Sequence, residues 1–296
     1  MAIYNLGSIN VDLLYSLPHL PQPGETLAAT KSKKGLGGKG ANMSVAAARA
    51  AARAVHIGAV GSDGRWALDL LTEYGVDTRH IAVVEKATGN AIVLLDPHGE
   101  NTIIIDHGAN HALTENQVGL ALAEASPGDI LLMQNETTLQ GFCARMGSDL
   151  GLRVVYAAAP FEVDAVLAVL PLIDMLILNE VEAEQLSKAL GKPPEALGLS
   201  DVVITLGARG CRWFTRSAAQ ALDVPALAVT PIDTTGAGDT FTGYLLAGLD
   251  RGMPMEQALH LATRAAALMV TRVGAADVIP DLLEVQQMFQ PPAKGA

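Results

Sequence analysis

The chain has 296 residues, half of them hydrophobic, and no block of low complexity, which is enough to bury one large core or two modest ones. Its formal charge of −11 argues against nucleic acid as the main partner, because phosphate backbones call for a basic surface, while a small anion held by local backbone donors is not excluded. Cys143 and Cys211 form no metal spacing or disulfide framework, no basic leader precedes the first apolar segment, and the apolar run Ala165 to Leu178 is broken by Pro171 and Asp174, so the expectation is a cytoplasmic protein with no membrane partner.

Ile3 to Ile9 reads as an apolar strand ending in Asn10-Val11-Asp12, with Leu13 to Leu17 continuing extended. Pro18, Pro21 and Pro23-Gly24 then force turns, and Glu25 to Lys34 reads as a more exposed strand. Gly35-Leu36-Gly37-Gly38-Lys39-Gly40-Ala41-Asn42 leads into an alanine-rich helix from Met43 to about Ala52. Val55 to Val60 is a strand, and Trp66 to Tyr74 a helix stopped by Gly75. Ala91 to Leu95 and Thr102 to Ile105 form a hairpin around Asp96-Pro97-His98-Gly99. Together with Glu25 to Lys34 this hairpin breaks the βα rhythm, which predicts a small separate sheet.

From Thr114 the rhythm is regular. Thr114 with Gln117 is a capping box opening a helix to about Ala125. Strands follow at Ile130 to Met133, Val154 to Ala157, Met175 to Leu178 and Val202 to Thr205, with helices to about Leu150, from about Glu162, and over Val181 to Leu190. Cys211 to Phe214 and Ala221 to Val224 make an antiparallel edge. A helix carries Phe241, Tyr244, Leu245 and Gly248 on one face, and another has Pro254 at its first position, a stripe of Met255, Leu259, Ala262, Ala266 and Val270, and Gly274 as its end. The tail Pro291 to Ala296 reads as frayed. Alternating helices and near-continuous apolar strands predict an α/β fold, a mostly parallel sheet covered on both faces.

Asp233-Thr234-Thr235-Gly236-Ala237-Gly238-Asp239 is a glycine-bearing loop running into a helix. Backbone N–H groups bare at a helix start favour an anion, while the alternative reading of the block is an acidic N-cap, Asp239, after a tight turn. Gly35 to Gly40 satisfies G-x-G-x-x-G, but Lys31-Ser32-Lys33-Lys34 stands where a buried strand is needed, and only Asp63 is placed, poorly, to serve a ribose. A nicotinamide site is therefore disfavoured. A Walker A loop fails too, because Gly40 follows Lys39 where Ser or Thr is required. What remains is a close backbone approach beside Lys39 and Asn42, suited to hydroxyl groups on a polyol. Polar residues also gather at strand ends, with Asn10 and Asp12, Glu136, Asn179 and Glu182, and Thr205 to Gly207 outlining a crevice.

These residues carry a resemblance. Gly7-Ser8-Ile9-Asn10-Val11-Asp12, Gly37-Gly38-Lys39-Gly40-Ala41-Asn42, Gly108-Ala109-Asn110, Asn179-Glu180-Val181-Glu182-Ala183-Glu184, Thr205-Leu206-Gly207-Ala208-Arg209-Gly210 and the Asp233 to Asp239 block resemble the ribokinase-like (PfkB) carbohydrate kinases over nearly the whole chain. The resemblance implies a three-layer αβα fold over residues 1–296 as a single domain, with a β-sheet lid from about 12–35 and 88–107. It implies ATP-dependent phosphorylation of a small sugar's primary hydroxyl, most of all D-ribose to ribose 5-phosphate. Asp239 matches the general base, and Gly236, Ala237 and Gly238 the anion hole for the transferring phosphoryl group. Asn10, Asp12, Gly38, Lys39, Asn42 and Glu136 match sugar-binding positions. Thr205, Gly207, Gly238 and Thr263 match the nucleotide side, and Asn179 and Glu182 the motif organising Mg²⁺ through water. Asp233, Thr235, Arg272 and Gly274 match a loop for K⁺, and the lid matches one that closes over sugar and pairs two subunits as a homodimer.

Two departures concern the nucleotide region, where Ala157-Ala158-Ala159-Pro160 lacks an amide that relatives often carry and Thr263 stands where some have His or Asn. A fructose-type sugar kinase or a nucleoside kinase is the nearest alternative, the latter disfavoured because aromatics are only 4% of the chain. A non-catalytic sugar or nucleotide sensor is the rival from another class.

Overall fold

A computed structural model describes residues 1–98, 101–218 and 220–288. Gly99 of the expected hairpin turn and the tail from Pro291 to Ala296 lie outside the described residues. In chain order the strands begin with β1 (Ile3–Leu6), β2 (Asn10–Ser16), β3 (Lys31–Gly37), β4 (Ala54–Gly61), β5 (Asp77–Val84), β6 (Gly89–Leu95) and β7 (Asn101–Asp106). They continue with β8 (Ile130–Gln134), β9 (Arg153–Ala157), β10 (Met175–Asn179), β11 (Asp201–Thr205), β12 (Cys211–Thr215) and β13 (Leu222–Val224). The α-helices are α1 (Lys39–Arg49), α2 (Arg65–Glu73), α3 (Glu115–Leu122), α4 (Gln140–Asp149), α5 (Val163–Val169), α6 (Glu180–Leu190), α7 (Ala237–Asp250), α8 (Met255–Met269) and α9 (Leu282–Met288).

The main sheet runs β13-β12-β11-β10-β9-β8-β1-β4-β5, parallel except for the β11-β12-β13 edge. Successive residues point to opposite faces, so apolar runs such as Ile130-Leu131-Leu132-Met133 feed two cores at once. One core takes Ile130 and Leu132 with residues of α1, α2, α7, α8 and α9. The other takes Leu131 and Met133 with residues of α3, α4, α5 and α6. Strand order reverses at β1, between β4 and β8. The carboxyl ends on either side of such a switch point bound a crevice, because the connections leave in opposite directions there.

The expected small sheet is present in the order β3-β2-β6-β7. It is mixed, with β2 and β6 parallel and the outer pairs antiparallel. Its composition corrects two sequence expectations. Strand β1 stops at Leu6, so Asn10 and Asp12 belong to the root of β2. The lid strand expected over Glu25 to Lys34 is Lys31–Gly37 instead, and Gly35-Leu36-Gly37 pair with Asp12, Val11 and Asn10 rather than forming a loop. Asp12 lies against Gly37, where a side chain would occupy the space of its carboxylate.

Helix α1 begins at Lys39, four residues before the expected Met43, because its first turn is held by tertiary contacts rather than by a side-chain cap. Ala41 N donates to Ser8 O at 2.8 Å and Gly40 N to Ser8 Oγ at 3.2 Å. At the Thr114 start only half the capping box forms, since Thr114 accepts from Gln117 N while the Gln117 side chain donates to Gly58 O and His80 O. Pro254 is the N-cap of α8 rather than its first residue, and α8 ends at Met269, five residues short of Gly274. Within the expected stripe Leu259 and Ala262 are buried, joined by Ala258, Ala265 and Met269, whereas Met255, Ala266 and Val270 are half-buried.

Helix α7 is buried on nearly every side and packs between α1 and α8. Gly243 makes the α1 crossing possible: a Cβ there would stand 2.7 Å from Met43 O and closer still to Ala46 Cβ. Gly248 does the same against Ala258 of α8. The α1–α7 contact carries Asn42 to the start of α7, where Asp239 lies.

Candidate active site

Asp239 is the third residue of α7, within the first turn where the positive end of the helix dipole favours a carboxylate. It is buried, and its Oδ2 accepts from Asn42 Nδ2 at 2.8 Å. Burial pushes its carboxyl up from the ordinary 3.8, against the Lys39 charge and the Asn42 hydrogen bond, with Glu136 adding to the rise. That balance leaves an ionisable acid more basic than a surface aspartate, which suits a proton acceptor. Asp239 caps nothing by its side chain, since the N-cap of α7 is Gly236 in the left-handed conformation with φ +71°.

Lys39 lies in the same space. Burial alone would pull its ammonium down, but Asp239, Glu136, Glu182 and Asp12 together hold it above its ordinary value. Asp12 is pushed up to about 6 by burial first and then by Glu136 and Asp239, with Lys39 opposing. One ammonium thus sits among four carboxylates.

Glu136 follows β8 and is buried, with Oε2 accepting from Lys39 N at 3.0 Å and from the Ser8 hydroxyl. Gly38 caps α1 with φ +92°, and a side chain there would meet Asn10 N and Ser8 O at 2.9 Å. Asn10, Asp12, Gly38, Lys39, Asn42, Glu136 and Asp239 therefore converge from β2, the α1 start, β8 and α7. The buried Asn42 Oδ1 has no partner among the described residues. It is an enclosed, unpaired acceptor on a residue expected to meet a polyol.

The phosphoryl-side residues begin where α7 does. Ala237 N donates to Thr234 O at 3.3 Å, leaving Gly238 and Asp239 N–H as first-turn donors that helix geometry gives no intrahelical acceptor. Gly238 is exposed, and a Cβ on it would meet nothing within 4 Å. Asp233 ties two loops together, its Oδ1 accepting from Thr235 N at 2.9 Å and its Oδ2 from Gly274 N at 3.2 Å. The Arg272 guanidinium points elsewhere, to Glu284 at 2.7 Å and Val278 O at 3.2 Å.

Asn179 and Glu182 form a complete capping box at α6, with Asn179 N donating to Glu182 Oε2 at 2.7 Å and Glu182 N to Asn179 Oδ1 at 2.8 Å. Burial raises the Glu182 carboxyl, countered by its bond from Asn179 N and by Lys39. Thr205 is half-buried at the end of β11 and Gly207 exposed just after it, with φ +58°. Thr263 is buried in α8, its hydroxyl donating to Leu259 O at 2.7 Å.

Three features beyond the sequence expectations support this site. Ser8 bridges the Gly40 amide and Glu136, so it fixes the α1 start and the β8 carboxylate to each other. Asn110 accepts from Ile9 N at 2.9 Å and donates to Asn10 Oδ1 at 2.7 Å. Beneath α1 runs a buried polar chain: His56 Nε2 meets Gly7 O at 3.1 Å, and His56 Nδ1 meets Ser44 Oγ at 2.8 Å. Asn5 donates to Ser44 Oγ and Gly40 O, both at 2.8 Å, and accepts from Gln134 Nε2 at 2.8 Å. Burial holds His56 down at about 4, so it is neutral at physiological pH. The signal for this chain was available, since Asn5, His56 and Gln134 are lone polar residues within apolar strands.

Comparison with known proteins places these elements in a family. The model of the pfkB family carbohydrate kinases matches residues 3–282. The chain belongs to the pfkB carbohydrate kinase family. These are phosphotransferases with an alcohol acceptor. Within the family, the chain is 35% identical to the ribokinase of Haemophilus influenzae, over 96% of this chain and 97% of that protein. Among solved structures, a ribokinase from Cryptococcus neoformans in complex with ADP is similar at TM-score 0.83 and 31% identity, covering 97% of this chain and 99% of that one. An Arabidopsis thaliana ribokinase complexed with ribose and ATP is similar at TM-score 0.85 and 29% identity, with the same coverage.

Proposed function

We propose that the protein is an ATP-dependent kinase that transfers a phosphoryl group to the primary hydroxyl of D-ribose, giving ribose 5-phosphate. The observation that carries the reading is Asp239, a buried carboxylate held at 2.8 Å by Asn42 beside the first-turn donors of α7, in a chain similar to ribokinases solved with ribose and ATP and with ADP. Asp239 takes the proton of the attacking hydroxyl. Of the expected anion hole Gly236-Ala237-Gly238, Ala237 N is turned to Thr234 O at 3.3 Å, so Gly236 and Gly238, joined by the Asp239 N–H, stabilise charge on the equatorial phosphoryl oxygens. Lys39, Asn42, Glu136, Asn10 and Asp12 hold the sugar, and Gly38 lets the backbone approach it.

The nucleotide lies along the ends of β10 and β11, beside Asn179, Thr205 and Gly207, with Thr263 behind it. Among the described residues no three His, Cys, Asp or Glu side chains gather as a metal site, and a divalent ion would arrive as the companion of the phosphates. Asn179 and Glu182 would reach it through water, and Mg²⁺ so held would neutralise phosphate charge. The Asp233 carboxylate retains acceptor capacity beyond its two amide bonds, which fits K⁺ held with Thr235 and with carbonyls near Arg272 and Gly274.

We read residues 1–296 as one catalytic unit in which the β3-β2-β6-β7 sheet is a lid over the sugar that excludes water. Edge strand β7 exposes Ile103, Ile104 and Ile105, at 54%, 55% and 44%. Three adjacent exposed isoleucines on a sheet edge support a homodimer through the lids. I104E should then yield a monomer by sedimentation, and an unchanged dimer would remove the lid from the interface. No helix among the described residues is long and apolar enough to cross a membrane, and the two buried free thiols support a reducing, cytoplasmic setting.

The deciding experiment is ADP release by purified protein with ATP, Mg²⁺ and K⁺ across a panel of pentoses, hexoses and nucleosides. Turnover with D-ribose above the other acceptors is the expected result. Faster turnover with another acceptor would reassign the sugar, and no turnover with any would favour a sensor.

A further inference from the structure

The Gly108-Ala109-Asn110 segment has no role in the mechanism above, yet its asparagine is among the most enclosed polar side chains, at 1% exposure. It follows β7, where the lid rejoins the main body. Ala109 N donates to Ala87 O at 2.8 Å just before β6, so Asn110 sits where the chain enters and leaves the lid.

Backbone chemistry settles which way its amide faces. Ile9 N–H is a donor and nothing else, so the Asn110 atom 2.9 Å from it must be the oxygen. The amide nitrogen of Asn110 is therefore the atom 2.7 Å from Asn10, and Asn10 must answer with its own oxygen. The Asn10 NH₂ is then the end left for the crevice. Both side chains are buried, so neither can exchange its partner for bulk water. Gly89, opposite Asn10 in the β2–β6 pairing, closes the arrangement from the lid side, because a Cβ there would stand 2.6 Å from Asn10 Oδ1 and closer still to Asn110 Nδ2.

We infer that Asn110 is a positioning residue that fixes the polarity of Asn10, making it a hydrogen-bond donor to a sugar oxygen. The chain of orientation runs from the Ile9 amide through Asn110 to Asn10 and ends at the ligand. Asn42 is oriented the opposite way: its NH₂ goes to Asp239 and its oxygen remains. Asn10 and Asn42 are thus held in opposite senses, one with its NH₂ and the other with its oxygen left over, which a free-rotating pair would not maintain. A site built this way rejects an acceptor whose hydroxyl is missing or reversed in position, because a buried polar group would be left unpaired.

The inference rests on Asn10 being a sugar ligand, and its test separates the two. D-ribose KM, kcat and calorimetric affinity are measured for wild type, N10A, N110A, N110D and the doubles N10A/N110A and N10A/N110D. N110A frees the Asn10 amide to turn. N110D keeps the volume and the acceptor for Ile9, but when ionised it offers Asn10 only oxygen. Each should weaken D-ribose binding and raise KM about tenfold, the scale of one hydrogen bond, with kcat at saturation changed less than about threefold. In the N10A background the same substitutions should change affinity less than about twofold. Wild-type affinity in N110A, or an undiminished loss on top of N10A, would overturn the inference, since Asn110 would then act without Asn10. If N110A does not fold, the N110D cycle decides; failure of both to fold would make the residue a strut of the lid root and also overturn it. Absence of D-ribose binding by the wild type removes the sugar reading itself, and is seen before any variant is made.

Discussion

Gly243→Ala tests whether the α1–α7 spacing sets the geometry of the reacting groups. The added Cβ would lie 2.7 Å from Met43 O, where ordinary contact begins at 3.4 Å, and it would lie closer still to Ala46 Cβ. The two helices must therefore part locally by about 1 Å, a scale on which misplacement of a reacting group costs roughly 10²-fold. Asn42 precedes Met43, so the 2.8 Å Asn42–Asp239 bond would open beyond hydrogen-bond range. Stability is a weaker reporter. Overpacking costs about 1–3 kcal/mol, but alanine regains roughly 0.5–1 kcal/mol over glycine within a helix. A drop in kcat of roughly 10²-fold in the ADP-release assay, with a melting point lowered by only a few degrees, is the expected pattern. Gly248→Ala is the control, because it crowds Ala258 of α8 on the side away from Asn42. Wild-type turnover in G243A, or equal slowing in G248A, would refute the reasoning.

Asp239→Asn keeps the Asn42 contact region but removes the proton acceptor, so kcat should fall by roughly 10²–10⁴ while D-ribose affinity stays within a few-fold; near-normal turnover would take Asp239 out of the base role. Asp12→Asn should stabilise the fold while raising the D-ribose KM. The folded-state pKa of Asp12, about 6 against an ordinary 3.8, means that the ionised form opposes folding above pH 6, and that this opposition fades as pH falls through 6 toward 3.8. The gain in melting temperature should be clear at pH 7.5, worth at most about 3 kcal/mol, and small at pH 4; an equal gain at both would show that charge is not the cause.

Periodicity gives the α/β order and both layers because the buried strands are near-continuous apolar runs, as in Ile130 to Met133. It misses β5, whose Asp77-Thr78-Arg79-His80 half is polar. Edge position explains this, since a strand with one neighbour keeps part of its surface in water. It also misses α9, a short helix after the last glycine loop whose only buried residue is Val285. The late start expected for α1 has a different cause. Gly38, Lys39 and Gly40 have poor local reasons to begin a helix, and the start is imposed from outside by Ser8. The acid at the head of α7 was legible as chemistry but ambiguous as a cap, and only its place in three dimensions, third in the helix and bonded to Asn42, separates the two. Ser8 and Asn110 stand within motifs that are visible in sequence; their partners, 128 and 101 residues away for Glu136 and Ile9, are not.

The polar chain under α1 has a direction. Gly7 O accepts only, so His56 carries its proton on Nε2, Ser44 must donate to Nδ1, and Asn5 must donate to Ser44. Changing one member of such a chain leaves its neighbours unpaired. Replacing Ser44 alone by alanine strands the imidazole nitrogen and one Asn5 hydrogen in a dry interior, at about 1–3 kcal/mol for each unpaired group. Recasting Asn5, Ser44, His56 and Gln134 together as apolar residues of matched volume would strand only the Gly7 carbonyl, since Gly40 O keeps its place in the α1 ladder. For anyone redesigning this scaffold toward a new acceptor, these four positions are best varied together, because each one changed alone leaves its buried partners unpaired and destabilises the floor of the pocket.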